Sequence, residues 1–187
     1  ELDAKSLLDC LQRGRKIQVS STYVAHRRRI GIPYDPPNGK VDPNPHDIGA
    51  KDFLVLCVGG NDFALRGEMN PTVILGFVRQ IIQFYKQRGI RAERLIYMTT
   101  YGPNIRMRLL VSLAFCTSLM NLYNQLVEET LEMCAEEGVT CMALDDFDEV
   151  AGAGIPEPTP AGARDLALRI QKAVLDQIAK EERGRVC

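Results

Sequence analysis

The chain has 187 residues, 45% of them hydrophobic and 25% charged, with a formal net charge of -1. That length suits one domain, spanning residues 1–187, with a core of its own, and the composition is ordinary for a soluble globular protein, so disorder is not the default. A nearly neutral protein has no field to hold nucleic acid, no apolar run approaches the roughly 20 residues of a membrane span, and no signal peptide is visible.

The first helical pattern runs from Leu2 to Gln12, with Leu7, Leu8 and Leu11 on one face and Gly14 placed to close it. Lys16 to Ser20 reads as a short strand, followed by Ser21-Thr22 and the basic cluster His26-Arg27-Arg28-Arg29, a solvated loop beside a site. Residues 31–51 are dense in Pro, Gly, Asn and Asp, which forbids helix and central strand and predicts a long irregular loop.

Phe53 to Val58 is an apolar run with no polar face, as expected of a strand buried on both sides in a parallel sheet. It ends in Gly59-Gly60-Asn61-Asp62. Ligands of open α/β sheets bind at the carboxyl ends of strands, so these four residues are site candidates. The glycines permit a tight turn or close approach of a ligand, and the Asn61 amide can donate to a developing oxyanion. Asn70-Pro71 then starts a helix whose inward face is Val73, Ile74, Phe77, Val78, Ile81, Ile82 and Tyr85, closed by Gly89.

Arg94 to Thr99 is the next strand, and Tyr101 and Asn104 follow it onto the same edge of a parallel sheet. Leu109 to Glu137 is the longest helical pattern, striped by Phe115, Leu119, Leu122, Leu126 and Met133 and ended by Gly138. Val139 to Leu144 gives a further strand, and Asp145, Asp146 and Asp148 after it read as a solvated turn. Thr159-Pro160 opens the last helix, running to about Ala179 with Ala163, Leu166, Ile170, Val174 and Ile178 inward, before a fraying charged tail at Lys180 to Arg183. Alternating strands and helices predict an α/β fold, a parallel sheet with helices on both faces.

Of the six cysteines, Cys57 and Cys141 fall in strand patterns and Cys116 and Cys134 in the long helix, which predicts reduced, buried thiols and an intracellular setting. No C-x-x-C pair occurs and the only histidines are His26 and His46, so the spacing specifies neither a metal site nor a cofactor.

A buried strand closing in Gly59-Gly60-Asn61-Asp62 resembles the G-x-N-D block of the SGNH/GDSL hydrolases, and Pro158 to Arg164 resembles the tail of that family's last block. The two segments occur in the family's order. The resemblance spans roughly residues 16–178 and implies a three-layer αβα sandwich around a flavodoxin-like parallel sheet. It also implies a site in which a serine of a Gly-Asp-Ser turn attacks an ester and a histidine takes its proton. A glycine N–H and the G-x-N-D asparagine would hold the oxyanion, because a serine needs a base and the tetrahedral intermediate needs placed donors.

Here the chain departs from the pattern. It contains no Gly-Asp-Ser. In one register Ser21 stands at the second-block glycine, with its backbone N–H still able to donate, and the nucleophile strand lies upstream of Glu1; in the other, Ser21 is the nucleophile. Glu157 stands at the family's histidine, and a carboxylate with an ordinary pKa of about 4.3 is a poor base for a serine. Asn61 alone is plainly in place.

The expectation that follows is a degenerate SGNH-like domain serving as a binding or assembly module, for a small ester or carbohydrate ligand or a protein partner. The rivals are an active ester hydrolase on lipid or acetylated carbohydrate, and a flavodoxin-like domain binding a nucleotide or phosphate. Against the last, no glycine-rich loop follows the first strand.

Overall fold

The computed structural model describes residues 3–15, 46, 48–59, 62, 70–99, 113–142, 144 and 160–184. Among these the order is α1 (Ala4–Gln12), β1 (Leu54–Leu56), α2 (Pro71–Gln87), a 3-10 turn (Ala92–Arg94), β2 (Leu95–Met98), α3 (Leu113–Glu137), β3 (Thr140–Met142) and α4 (Pro160–Gly184). The predicted strand at 16–20 and most of the irregular loop at 31–51 lie outside the described residues.

The three strands form one parallel sheet in the order β1-β2-β3, with Leu54 beside Leu95 and Ile96 beside Thr140. All four β2 residues are buried, as a central strand covered on both faces requires. The two-residue alternation divides the side chains. Leu54, Leu56, Leu95, Tyr97 and Cys141 join one core with residues of α1, α2 and α3. Val55, Met98, Met142 and Leu144 join another with Leu166 and Ile170 of α4.

Local sequence explains where the helices begin and end. The Asn70 side chain accepts from the Thr72 N–H at 3.1 Å and Pro71 occupies the first helical position, where its missing N–H costs nothing. Gly14, Gly89 and Gly138 each follow a helix with positive φ. In all three closures the next residue's N–H returns to a carbonyl of the last turn: Arg15 to Cys10, Ile90 to Tyr85 and Val139 to Cys134.

Helices α2 and α3 run side by side in the same direction. The Thr72 hydroxyl donates to Glu129 at 3.4 Å, and seven residues on in each helix Arg79 pairs with Glu136 at 2.6 Å. At the end of this seam the largely buried Glu137 accepts from Gln83 at 2.5 Å and Lys86 at 2.8 Å and pairs with Arg79 at 3.3 Å. Burial alone would raise its carboxyl, but the bonds from Lys86 and Gln83 and the charges of Lys86 and Arg79 outweigh it and hold the group below its ordinary range.

Three expectations are corrected. The tail at 180–183 is helical, because Glu181 receives two bonds from Arg94, at 2.9 and 2.6 Å, and pairs with Arg91. Arg94 also stacks on Phe53 and donates to the Lys51 carbonyl, so one guanidinium ties the starts of β1 and β2 to α4. Its bonds, with help from Arg91, pull the Glu181 carboxyl down to about 2. Val73 and Ala163 face outward, Leu75 taking the core place beside Ile74 that Val73 was expected to fill. Cys57 lies one residue beyond β1 and is exposed, whereas Cys134 is buried and Cys141 half-buried.

Both glutamates release their protons more readily folded than unfolded. Their contribution is therefore present above the free value of 4.5 and lost as pH falls, for Glu181 down to about 2. Thermal unfolding followed by circular dichroism should show the midpoint dropping between about pH 5 and about pH 2. Glu137→Gln should unfold about 1–3 kcal/mol more easily at neutral pH and lose part of that acid dependence; an acid profile identical to the parent's would remove the Glu137 carboxylate from the account.

Candidate functional site

The three parallel strands deliver their carboxyl ends to one edge. At the end of β1, Val58 and Gly59 are both buried. The Tyr97 hydroxyl, rising from the middle of β2, donates to the Val58 carbonyl. Gly59 has φ 105°, and a Cβ there would stand 3.2 Å from both Ile74 Cγ2 and the Tyr97 oxygen. Conformation and space thus both demand glycine at this turn. Burial raises the Tyr97 phenol far above its ordinary value, with Cys57, Cys134, Cys141 and Asp62 adding to the shift, so the group is a neutral donor.

Asp62 is 1% exposed, and its carboxylate is engaged. Oδ2 accepts from the Ala4 N–H at 2.6 Å and Oδ1 from the Lys5 N–H at 3.4 Å, while Asp3 accepts from the Ser6 N–H at 2.7 Å. Two aspartates fifty-nine positions apart therefore satisfy the first three orphan donors of α1, and their charge faces the positive end of its dipole. At the end of β2, Thr99 is also 1% exposed. Its N–H donates to the Met142 carbonyl at 3.0 Å and its Oγ1 accepts from the Leu144 N–H at 2.9 Å, extending the β2–β3 pairing past the strands.

Of the candidate residues read from the sequence, Gly59 and Asp62 are thus together at the carboxyl end of β1. Ser21, Gly60, Asn61, Tyr101, Asn104 and Glu157 lie outside the described residues. Among the described residues no group of three or more His, Cys, Asp or Glu side chains is arranged to hold a metal ion. No helix among them is long and apolar enough to cross a membrane.

A cavity of about 480 Å³ opens at the opposite, amino-terminal edge of the sheet. Arg91 and Glu93 before β2, Val139 and Thr140 at β3, and Gln177 and Glu181 of α4 line it. Its chemistry is ion pairing and hydrogen bonding: among the described residues the lining includes no histidine or cysteine, and Thr140 is the sole hydroxyl. His46 lies between the end of α1 and the end of α2. It receives a bond from Arg88, an obligate donor, on Nδ1 at 3.0 Å, so Nε2 carries the proton that it donates to the Arg15 carbonyl at 3.2 Å. The ring tethers the end of α1 to the end of α2.

Sequence reasoning missed the Tyr97 hydroxyl, the service of Asp62 to α1 and the seam at Glu137. For the last a signal existed: Arg79, Gln83 and Lys86 recur on one helical face and ask for an acidic partner. No family model, characterised protein or solved structure matches the chain.

Gly59→Ala should destabilise the fold by about 1–3 kcal/mol, because the new Cβ takes a strained φ and presses on Ile74 and Tyr97. The midpoint of urea unfolding measures this, and an unchanged midpoint would show that the turn is not constrained as described.

Proposed function

We propose that the chain is an SGNH-hydrolase-like domain, a three-layer αβα sandwich on a flavodoxin-like parallel sheet, whose catalytic positions have degenerated and which works as a binding or assembly module. One observation carries the reading: β1, in a parallel sheet, ends at a buried glycine with φ 105°, and the described members of the Gly59-Gly60-Asn61-Asp62 segment stand together at its carboxyl end. That is the edge at which open α/β sheets receive ligands. The layered arrangement is supported by the two cores, one reached from α1, α2 and α3 and the other from α4.

In this reading Asn61 donates its amide to a carbonyl or hydroxyl oxygen of a small ester or carbohydrate ligand. Gly59 and Gly60 admit the ligand to the backbone, and Tyr101 and Asn104 border it from the end of β2. Asp62 anchors the turn from beneath through its bonds to Ala4 and Lys5. The Ser21 N–H is the second oxyanion donor, and Glu157, in the place of a histidine, leaves no competent base for a serine. Binding survives such losses and turnover does not.

A fluorophosphonate that labels activated serines, applied to the folded protein and followed by intact mass, is expected to give no adduct. An acetylated xylo-oligosaccharide titrated against the ¹⁵N-labelled chain is expected to shift the Gly59 and Asp62 amides, and Asn61→Ala to abolish the shifts. One stoichiometric adduct on a serine, lost on denaturation, would overturn the degenerate reading. Shifts that persist undiminished in Asn61→Ala would overturn the site.

A further inference from the structure

We propose that the cavity at the amino-terminal edge binds a small zwitterion, the ammonium and carboxylate of a free amino acid or a short peptide. The proposal is independent of the reading of the carboxyl edge. Three elements wall the cavity: the turn before β2, the link from α3 into β3, and the last turns of α4. Arg94, with a side chain only 14% exposed, stacks on Phe53 and grips Glu181 through two bonds, which fixes α4 against the turn before β2. The walls are thus in place before a ligand arrives. Their volume of about 480 Å³ falls in the span of roughly 300–1,000 Å³ usual for small-molecule sites.

The charges of the lining divide into spent and unspent. Glu181 is spent: Arg94 bonds both of its oxygens, and Arg91 shares one of them. One carboxylate between two guanidiniums leaves a positive charge over, and it lies with Arg91, whose side chain is 52% exposed. Lys180 brings a second cation to the lining and Glu93 an anion. Among the described residues neither side chain enters an ion pair or a hydrogen bond, with the other or with any third group. Beside them, the Gln177 amide and the Thr140 hydroxyl can each donate and accept.

This pattern selects by charge. A phosphate or a plain carboxylate would gain Arg91 and Lys180 but would bring its charge against Glu93. A plain amine would gain Glu93 and meet two cations. A ligand with both charges satisfies all three: its carboxylate accepts from Lys180 and Arg91, and its ammonium donates to Glu93, each a charge-assisted hydrogen bond. Glu181 stays with Arg94 throughout, so binding leaves the clamp closed.

The ¹⁵N-labelled full chain would be titrated at low salt with L-alanine and with L-alanyl-L-alanine, following the Gly138, Val139 and Thr140 amides. Saturable shifts are expected there, from L-alanine if the site spans one residue and from the dipeptide if it spans two. The N-acetyl form of the binding compound keeps only the carboxylate and its amide form only the ammonium, and each should bind about tenfold more weakly or worse. Lys180→Gln and Glu93→Gln should each weaken the zwitterion by about the same factor. Both side chains are exposed, so the amide spectrum of β1 and β2 should stay that of the parent. The absence of saturable shifts with either zwitterion would overturn the proposal. Equal binding of the acetylated or the amidated form would also overturn it, by making the cavity a site for a single charge, as would undiminished binding to both variants.

Discussion

The arrangement depends on β2 having no face to the solvent. Its amides and carbonyls are paired on both sides, with β1 and with β3, and all four of its side chains are buried. A strand in that position requires apolar cover above and below, which fixes the helices, and parallel neighbours, which sends every strand's carboxyl end to one edge. Tyr97 is the exception that proves useful. Its ring fills the core while its hydroxyl donates to the Val58 carbonyl, giving that buried acceptor a partner.

The two edges of the sheet are secured by different chemistry. At the carboxyl edge a buried aspartate accepts from helix N–H groups, a directional contact that brings α1 against the end of β1. At the amino-terminal edge the work is done by ion pairs that weaken in acid: Arg94 with Glu181 holds α4 against the start of β2, and Lys86 with Glu137 joins the ends of α2 and α3. The cavity lined by Arg91, Thr140 and Gln177 belongs to that second edge.

What was legible in the sequence is what short-range chemistry decides. Asn70-Pro71 starts a helix because capping and a missing N–H act within two residues. Gly14, Gly89 and Gly138 end helices because the left-handed turn they allow is local. The parallel sheet could be read because runs such as Leu95 to Met98 lack a polar face. Contacts across long separations could not be read. Asp62 and Ala4 are 58 residues apart, and Arg94 and Glu181 are 87 apart, so an aspartate in a loop and a glutamate in a charged tail each looked like surface. Cys57 misled because an apolar run does not show where its strand stops: pairing ends at Leu56, and the next residue is already in solvent. For the candidate site, the sequence located the edge at Gly59 and Asp62, while the occupation of the Asp62 carboxylate emerged only from the fold.

Asp62, bonded to the first amides of α1, ties the segment after β1 to that helix. The first amides of a helix have no partner inside it, so protection at Ala4 must come from outside the helix. Amide hydrogen exchange at Ala4, compared between the parent and Asp62→Ala, tests this directly. Exchange at Ala4 should be slow in the parent and rapid in the variant, with the Tyr97 amide of β2 still protected in both. Exchange at Ala4 as fast in the parent as in an unstructured peptide would contradict it.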